Sequence, residues 1–369
     1  MIYLDYSATT PVNKDVLDSF NKVCLNFPGN PNSLHNLGVE CKNLIDEATN
    51  QIANLLKIKP NEIIYTSGAT ESNNTAIKGI ALKYQNRGKH ILTTKLEHSS
   101  TYGALSYLQK NGFTVDFLEL DEKGLIDIND LKEKLTKETI LVTINGVNSE
   151  IGIKQDINNL GKIIKENSNA HFHVDLTQMI GKCEVSFENI DLASFTAHKI
   201  YGLKGIGALY KKENIGLENL LHGGKSTTIY RSGTPCAPLI VSFSKALRLS
   251  LENLNEKYEY VKNLNKYVKE NIDATINSND VCVPHILNIS VTGIKPETML
   301  HALEEYQIYI STQSACATGE KSMAVYALTH NDELATHSLR ISLSHLTTKE
   351  EIEKFVEVFN TIIRSKIWK

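Results

Sequence analysis

Apolar runs of strand length alternate with helix-period stretches along most of this chain, and that alternation narrows the folds open to it. "EIIYTS" (62–67), "HILTT" (90–94), "FTVDFLEL" (113–120), "TILVTIN" (139–145), "HFHVD" (171–175), "DLASFT" (191–196) and "GIGALY" (205–210) read as strands. Amphipathic segments such as "TAIKGIALKYQN" (75–86) and "INNLGKIIKEN" (157–167) lie between them. Near-continuous apolar strands alternating with helices predict an α/β fold whose mostly parallel sheet is covered by helices on both faces. An almost uninterrupted helical pattern follows from Ala237 to Asn271. Strands near "HILNISV" (285–291) and "HSLRISLS" (337–344) and a final amphipathic helix, "KEEIEKFVEVFNTIIRS", then form a smaller α/β unit. The expected division is a large domain over residues 12–250 and a small one from residues 1–11 and 251–369.

Bulk properties exclude several classes of function. A net charge of −3 offers no electrostatic footprint for nucleic acid. No apolar run reaches the length of a membrane span, and "MIYLDYSATTPV" lacks the pattern of a signal peptide. The expected location is the cytoplasm. The six cysteines, at 24, 41, 183, 236, 282 and 316, form no Cys-x-x-Cys pair, so they read as reduced thiols.

The candidate chemistry gathers at strand ends. "YTSGATESNN" follows a strand and opens a helix, and Ser67, Gly68, Ala69 and Thr70 are small enough for their backbone N–H groups to approach an anion. Glu71, near that helix start, also fits ordinary dipole compensation. "HGGKST" (222–227) ends like a P-loop but has Asn219 where the first glycine is required, and "GLKGIG" precedes a strand. His171, His173 and Asp175 share one face of a strand, a spacing that suits a metal. No further ligand cluster completes such a site, and local packing of the histidines or a ligand contact by Asp175 alone accounts for the same residues. Asp175 ends one predicted strand and Lys199 ends the next, so a parallel sheet delivers both to its ligand-binding edge. An amine able to form a Schiff base and a carboxylate able to pair a pyridine nitrogen are the two groups pyridoxal phosphate requires. Lys204, in the turn before "GIGALY", reads as a solvated loop lysine.

"YLDYSATTPV", "FPGNPNSLH", "YTSGATESNN", "LEHSS", "VNSEIG", "HVDLTQ", "AHKIYGLKGIGALY", "RSGTP", "STQSAC" and "NDELATHSLRISL" occur in the order seen in cysteine desulfurases. On these segments nearly the whole chain resembles that family, the fold-type I pyridoxal-phosphate enzymes of the class V aminotransferase superfamily. The longer stretch around Cys316 resembles its nitrogen-fixation and iron–sulfur-assembly group. The resemblance implies that Lys199 holds the cofactor, Asp175 keeps its ring nitrogen protonated, and His98 stacks on the ring and relays protons. Ala69, Thr70, Thr196 and His198 would bind the phosphate, and Gln178 would donate to the ring oxygen. Thr234 would reach the phosphate from a neighbouring subunit, which implies a homodimer. Arg340 would clamp the substrate carboxylate with its planar fork. Cys316, among small and polar neighbours, would attack the sulfur of L-cysteine, leaving a persulfide and alanine.

The sequence departs from the family pattern in three places. Ser149 replaces a second asparagine, so the ring-oxygen contact is altered or falls to Asn148. Leu203 replaces a usual proline, and "HGGKSTTIY" differs from the common segment near the subunit boundary. The implied activity is a sulfurtransferase passing sulfur to an iron–sulfur scaffold or a tRNA-thiolation enzyme. Its competitors are another class V aminotransferase, a selenocysteine lyase, or a non-catalytic sulfur carrier.

Overall fold

The computed structural model describes residues 1–224, 226–312 and 321–365; Cys316, within 313–320, lies outside the described residues. A short strand, β1 (Ile2–Tyr3), is followed by α1 (Lys14–Asn26) and α2 (Asn36–Leu56). Strands and helices then alternate: β2 (Ile63–Thr66), α3 (Ala69–Tyr84), β3 (His90–Thr93), α4 (Ser99–Lys110), β4 (Thr114–Phe117), α5 (Ile128–Lys134), β5 (Thr139–Asn145), α6 (Ile157–Asn167), β6 (His171–Asp175), β7 (Leu192–Thr196) and β8 (Gly207–Lys211). β2 to β8 form a seven-stranded sheet in the order β2-β8-β7-β6-β5-β3-β4. β4, β3, β5, β6 and β7 pair in parallel, and β8 runs antiparallel to both β7 and β2.

The period of two along these strands sorts side chains onto two faces. Ile63, Tyr65, Val142, Ile144, Phe172 and Val174 pack with Ile52, Ile164 and Phe243 of α2, α6 and α7 (Ala237–Leu251). Ile64, Ile91, Leu141 and Leu209 pack on the other face with Ile77 and Ile80 of α3 and Leu105 of α4. Each such fully buried side chain contributes about 1.5–3 kcal/mol relative to exposure. Because Phe172 and Val174 face α6, the alternate residues His173 and Asp175 face α3 and α4.

The long helical pattern after Ala237 divides. α7 ends at Leu251, and α8 (Leu254–Asn271) begins after Asn253, whose φ of 53° is left-handed. Asparagine tolerates that conformation better than most residues, so the chain turns there without a glycine. The C-terminal part then supplies β9 (Thr275–Ile276), β10 (Ile286–Ser290), α9 (Pro296–Glu304), β11 (Ile308–Tyr309), α10 (Met323–Thr329), α11 (Asp332–Thr336), β12 (Ser338–Ser342) and α12 (Lys349–Arg364). β12, β10 and β9 form an antiparallel three-stranded sheet packed around Phe355 and Phe359 of α12.

The N-terminal segment ties the two sheets together. β1 pairs in parallel with β11, Ser342 N–H donates to Leu4 O at 2.7 Å, and Thr10 N–H donates to His198 O at 2.9 Å. Residues 4–10 are thereby laid between the end of β12 and the turn after β7. Among the described residues, no helix is long and apolar enough to cross a membrane.

Candidate active site

The strand ends that share one edge of the large sheet open into a cavity of about 400 Å³. Asn145, Asp175 and Thr196 close β5, β6 and β7, and the loop leaving β2 carries Ser67–Thr70 to the same edge. Ser7 and Ala8 of the N-terminal segment and Arg340 of β12 complete the wall. A cavity of this size suits a small aromatic phosphate together with an amino acid.

Asp175 is fixed from both sides. Thr177 N–H donates to Oδ1 at 2.9 Å, and Asn73 of α3 donates its side-chain amide to Oδ2 at 2.7 Å. The same amide nitrogen donates to Ser100 Oγ at 2.9 Å, and Ser100 Oγ lies 2.9 Å from His98 Nδ1. Ser100 therefore accepts from Asn73 and gives its own hydrogen to His98. Ser100 N–H also points at His98 Nδ1, at 3.2 Å. Two donors on Nδ1 leave the neutral imidazole with its hydrogen on Nε2. Burial lowers the His98 pKa from its ordinary 6.5; the nearby Asp175 charge opposes that fall and Lys199 reinforces it. In a side-chain ¹⁵N NMR titration, His98 is expected to show the Nε2–H tautomer and a midpoint below 6.5. Asp175→Asn, by removing the opposing charge, is expected to lower that midpoint further; a midpoint above 6.5 would contradict this electrostatic picture.

Lys199 sits in a 3₁₀ turn, Ala197–Lys199, just beyond the end of β7. Its ammonium donates to the carbonyls of Ser7 and Ala8, the latter at 2.8 Å. Its neighbour His198 is pushed down to about 4 by burial and then by the positive charges of Lys199, Lys204 and Lys182. Those positive charges also attract an anion to this end of the cavity. Lys204 is exposed, yet it lines the rim beside Gly205, so it belongs to that positive field more than to a remote loop.

Across the cavity, α3 starts after Gly68, and among the described residues no side chain caps its first turn. Glu71 Oε2 accepts from Ser67 N–H at 2.6 Å, and Oε1 accepts from Arg231 Nε at 2.9 Å. Burial works against the Glu71 charge, but the Arg231 and Ser67 hydrogen bonds hold its pKa below the usual value. A Cβ on Gly207 would fall 2.8 Å from Gly68 Cα, so glycine lets β8 run directly beneath this loop. Thr196 gives its hydroxyl hydrogen to Ile206 O at 3.0 Å.

Arg340 is 1% exposed. Nη2 pairs with Asp5 Oδ1 at 2.8 Å and Nη1 donates to Ser149 O at 3.1 Å, while Nε is buried with no hydrogen-bond partner among the described residues. Two acceptors orient the guanidinium of a residue that lines the cavity, so a bound carboxylate would meet a held, planar cation. Arg340→Lys, which keeps the charge and loses the fork, is expected to raise the KM for an amino-acid substrate roughly 10-fold with a smaller change in kcat. Steady-state kinetics check this, and an unchanged KM would remove Arg340 from carboxylate binding.

The cavity brings together Ala69, Thr70, His98, Ser149, Asp175, Gln178, Thr196, His198, Lys199 and Arg340. Asn148 does not join them: its amide nitrogen donates to Leu96 O at 2.8 Å, and its Oδ1 accepts from the N–H groups of Glu150 and Ile151. Thr234 is exposed and does not line the cavity within this chain. The metal reading of His171 and His173 loses its ligand, since both His173 ring nitrogens are taken by Thr143 Oγ1 at 2.8 Å and Ser194 Oγ at 2.9 Å. Asn73, Ser100, Ser7 and Ala8 were not singled out from the sequence as site residues. The spacing of Asn73 from Thr70, one helical turn, is the one signal that could have found it.

The model of the family described as Aminotransferase class-V matches residues 2–355. This chain belongs to the class-V aminotransferase family. A relative described as NifS/IcsS protein homolog, from Lactobacillus delbrueckii subsp. bulgaricus, is 40% identical, with 98% of this chain and 97% of that protein covered. A protein named Cysteine desulfurase IscS, from Neisseria meningitidis serogroup C, is also 40% identical, over 100% of this chain and 92% of its own length. Among solved structures, a NifS-like protein superposes with a TM-score of 0.93 at 32% identity, covering 98% of this chain and 99% of that one. A structure described as SspA in complex with cysteine gives a TM-score of 0.84 at 31% identity, covering 94% and 100%. The mostly parallel sheet covered on both faces is thus the class-V, fold-type I architecture. Class-V aminotransferases of this kind work with pyridoxal phosphate. The residues present fit that group: a carboxylate held at the sheet edge, an amine on the adjacent turn, an uncapped helix start and a surrounding positive field.

Proposed function

We propose that this class-V aminotransferase is a pyridoxal-phosphate-dependent cysteine desulfurase that takes sulfur from L-cysteine and leaves alanine. The observation that carries the reading is the convergence of Lys199, Asp175, the Ser67–Thr70 loop and Arg340 on one cavity, in a chain whose relatives bear that name. When bound, pyridoxal phosphate supplies an electron sink that allows the substrate α-proton to leave.

The chain's own residues do the rest. Asp175, held by Asn73 and Thr177 N–H, would pair with the ring nitrogen. The start of α3, with His198, would receive the phosphate beside Thr196, whose hydroxyl hydrogen goes to Ile206 O, and Gln178 would offer an amide hydrogen to the ring oxygen. Arg340 binds the substrate carboxylate and so orients the α-carbon relative to Lys199 Nζ, which moves the α-proton. His98 presents a neutral ring whose Nε2–H is its available hydrogen; accepting a proton there would first require moving a hydrogen to Nδ1, against Ser100 N–H. His98 therefore serves as a stacking face and hydrogen donor more readily than as the first base.

Cys316 lies outside the described residues, and its role rests on the resemblance. Its thiolate would attack the sulfur of cysteine: a sulfur–sulfur bond forms, the carbon–sulfur bond breaks, and the electron pair left on carbon takes a proton, leading to alanine. A second copy of the chain would bring Thr234 to the phosphate, making the working unit a homodimer. The persulfide would pass to an iron–sulfur scaffold or a tRNA-thiolation enzyme, in the cytoplasm. The division into a large domain over residues 12–250 and a small one from 1–11 and 251–369 fits this assignment, with the cavity between Asp175 and Arg340.

The test is release of alanine and sulfide from L-cysteine by the purified, cofactor-loaded protein with a thiol reductant. Equimolar products support the reading, and their absence, with another amino acid turned over instead, would overturn it.

A further inference from the structure

Lys182 is a buried ion that the proposed chemistry does not use. It lies in the turn after β6 and is 8% exposed. Among the described residues the single hydrogen-bond partner of its Nζ is Gln178 Oε1, at 2.6 Å. Gln178 Nε2 in turn donates to Ser7 O at 2.9 Å, the same carbonyl that accepts from Lys199. The charged lysine has donors only, so in that form it is served by the amide oxygen of Gln178. That contact settles which end of the amide faces where. One Nε2 hydrogen goes to Ser7 O, and the other is left for the cavity that Gln178 lines.

We propose that Lys182 is a positioning residue, which locks the Gln178 amide with its N–H edge toward the cofactor's ring oxygen. This rests on the pyridoxal-phosphate reading of the cavity. With Lys182 gone, Gln178 Oε1 is left buried without a donor, and the amide relaxes out of the orientation that aims its free N–H at the ring oxygen. A methionine would fill the same space without the cost of burying a charge, so packing alone gives no reason for an ammonium here. The charged and titratable groups around it are Lys199, Arg340, Cys183, His198 and His285. Burial first, then the charge of Lys199, draws the Lys182 pKa down to about 7.

The experiment follows the visible absorbance of the bound cofactor against pH in the cofactor-loaded protein. Lys182→Met is expected to move the midpoint up by roughly one pH unit, because the ring oxygen loses a hydrogen-bond donor. Lys182→Arg and Lys182→Gln, which keep a donor, are expected to hold the wild-type midpoint. In a Gln178→Ala background, Lys182→Met is expected to add nothing. An unshifted midpoint in Lys182→Met overturns the proposal, and so does the same shift in the Gln178→Ala background, which would mean a direct effect of charge. If Lys182→Met does not retain cofactor, Lys182→Gln carries the test, and a shift there overturns the proposal. The titration needs no turnover: a normal result without alanine release would sink the desulfurase reading alone.

Discussion

Lys199→Ala is expected to abolish turnover of L-cysteine, with kcat falling at least about 10³-fold. The amine stands on a turn closed by the Ala197 carbonyl and is held by the carbonyls of Ser7 and Ala8. Neither Lys182 nor Lys204 is placed to replace it: Lys182 is tied to Gln178, and Lys204 is exposed at the rim. The loop at Ser67–Thr70 and the Asp175 carboxylate remain in the variant, so cofactor is still expected to bind, but without a covalent link. Borohydride treatment followed by peptide mapping reads this directly. Label fixed at position 199 in the wild type and lost in the variant is the expected result. Label at another lysine with activity retained would contradict the assignment.

Asp175→Asn is expected to cost about 10²–10³ in kcat while leaving the fold and cofactor binding largely intact. Asparagine can still accept from Thr177 N–H through its side-chain oxygen. Its amide nitrogen would face the Asn73 amide, however, and would carry no charge toward the ring nitrogen. The two changes point the same way: a neutral, partly mismatched group cannot keep a pyridine nitrogen protonated. The measurement is kcat at saturating cofactor, beside a thermal melt. A melt close to wild type with kcat reduced supports an electrostatic role. An equal loss of both would make Asp175 a structural residue.

Much of this site was legible because the sheet edge imposes simple rules. The strands at 139–145 and 171–175 were readable from composition alone, and Asp175 and Lys199 fall where parallel strands deliver ligand contacts. The Asp175–Asn73–Ser100–His98 chain was not legible. It joins three segments that meet only because β2 lies at one sheet edge while α3 crosses over β6, β7 and β5, and no local pattern encodes that order. Lys182 reads in sequence as a polar residue after a glycine turn; its burial depends on packing by elements far along the chain. The helical pattern through Asn253 misled for a local reason, since one left-handed residue breaks a helix without the glycine or proline that would announce it. The family resemblance left the ring-oxygen contact altered or with Asn148, but the turn carrying Asn148 spends its amide on Leu96 O and on closing the turn itself.

The most direct test of the central claim is the mass of the Cys316-containing peptide after brief exposure of the cofactor-loaded protein to L-cysteine without a reductant. One added sulfur atom on Cys316, with alanine formed in equal amount and neither seen in Cys316→Ala, is the predicted result. Alanine formed as fast by Cys316→Ala, with no sulfur on the wild-type peptide, would contradict it.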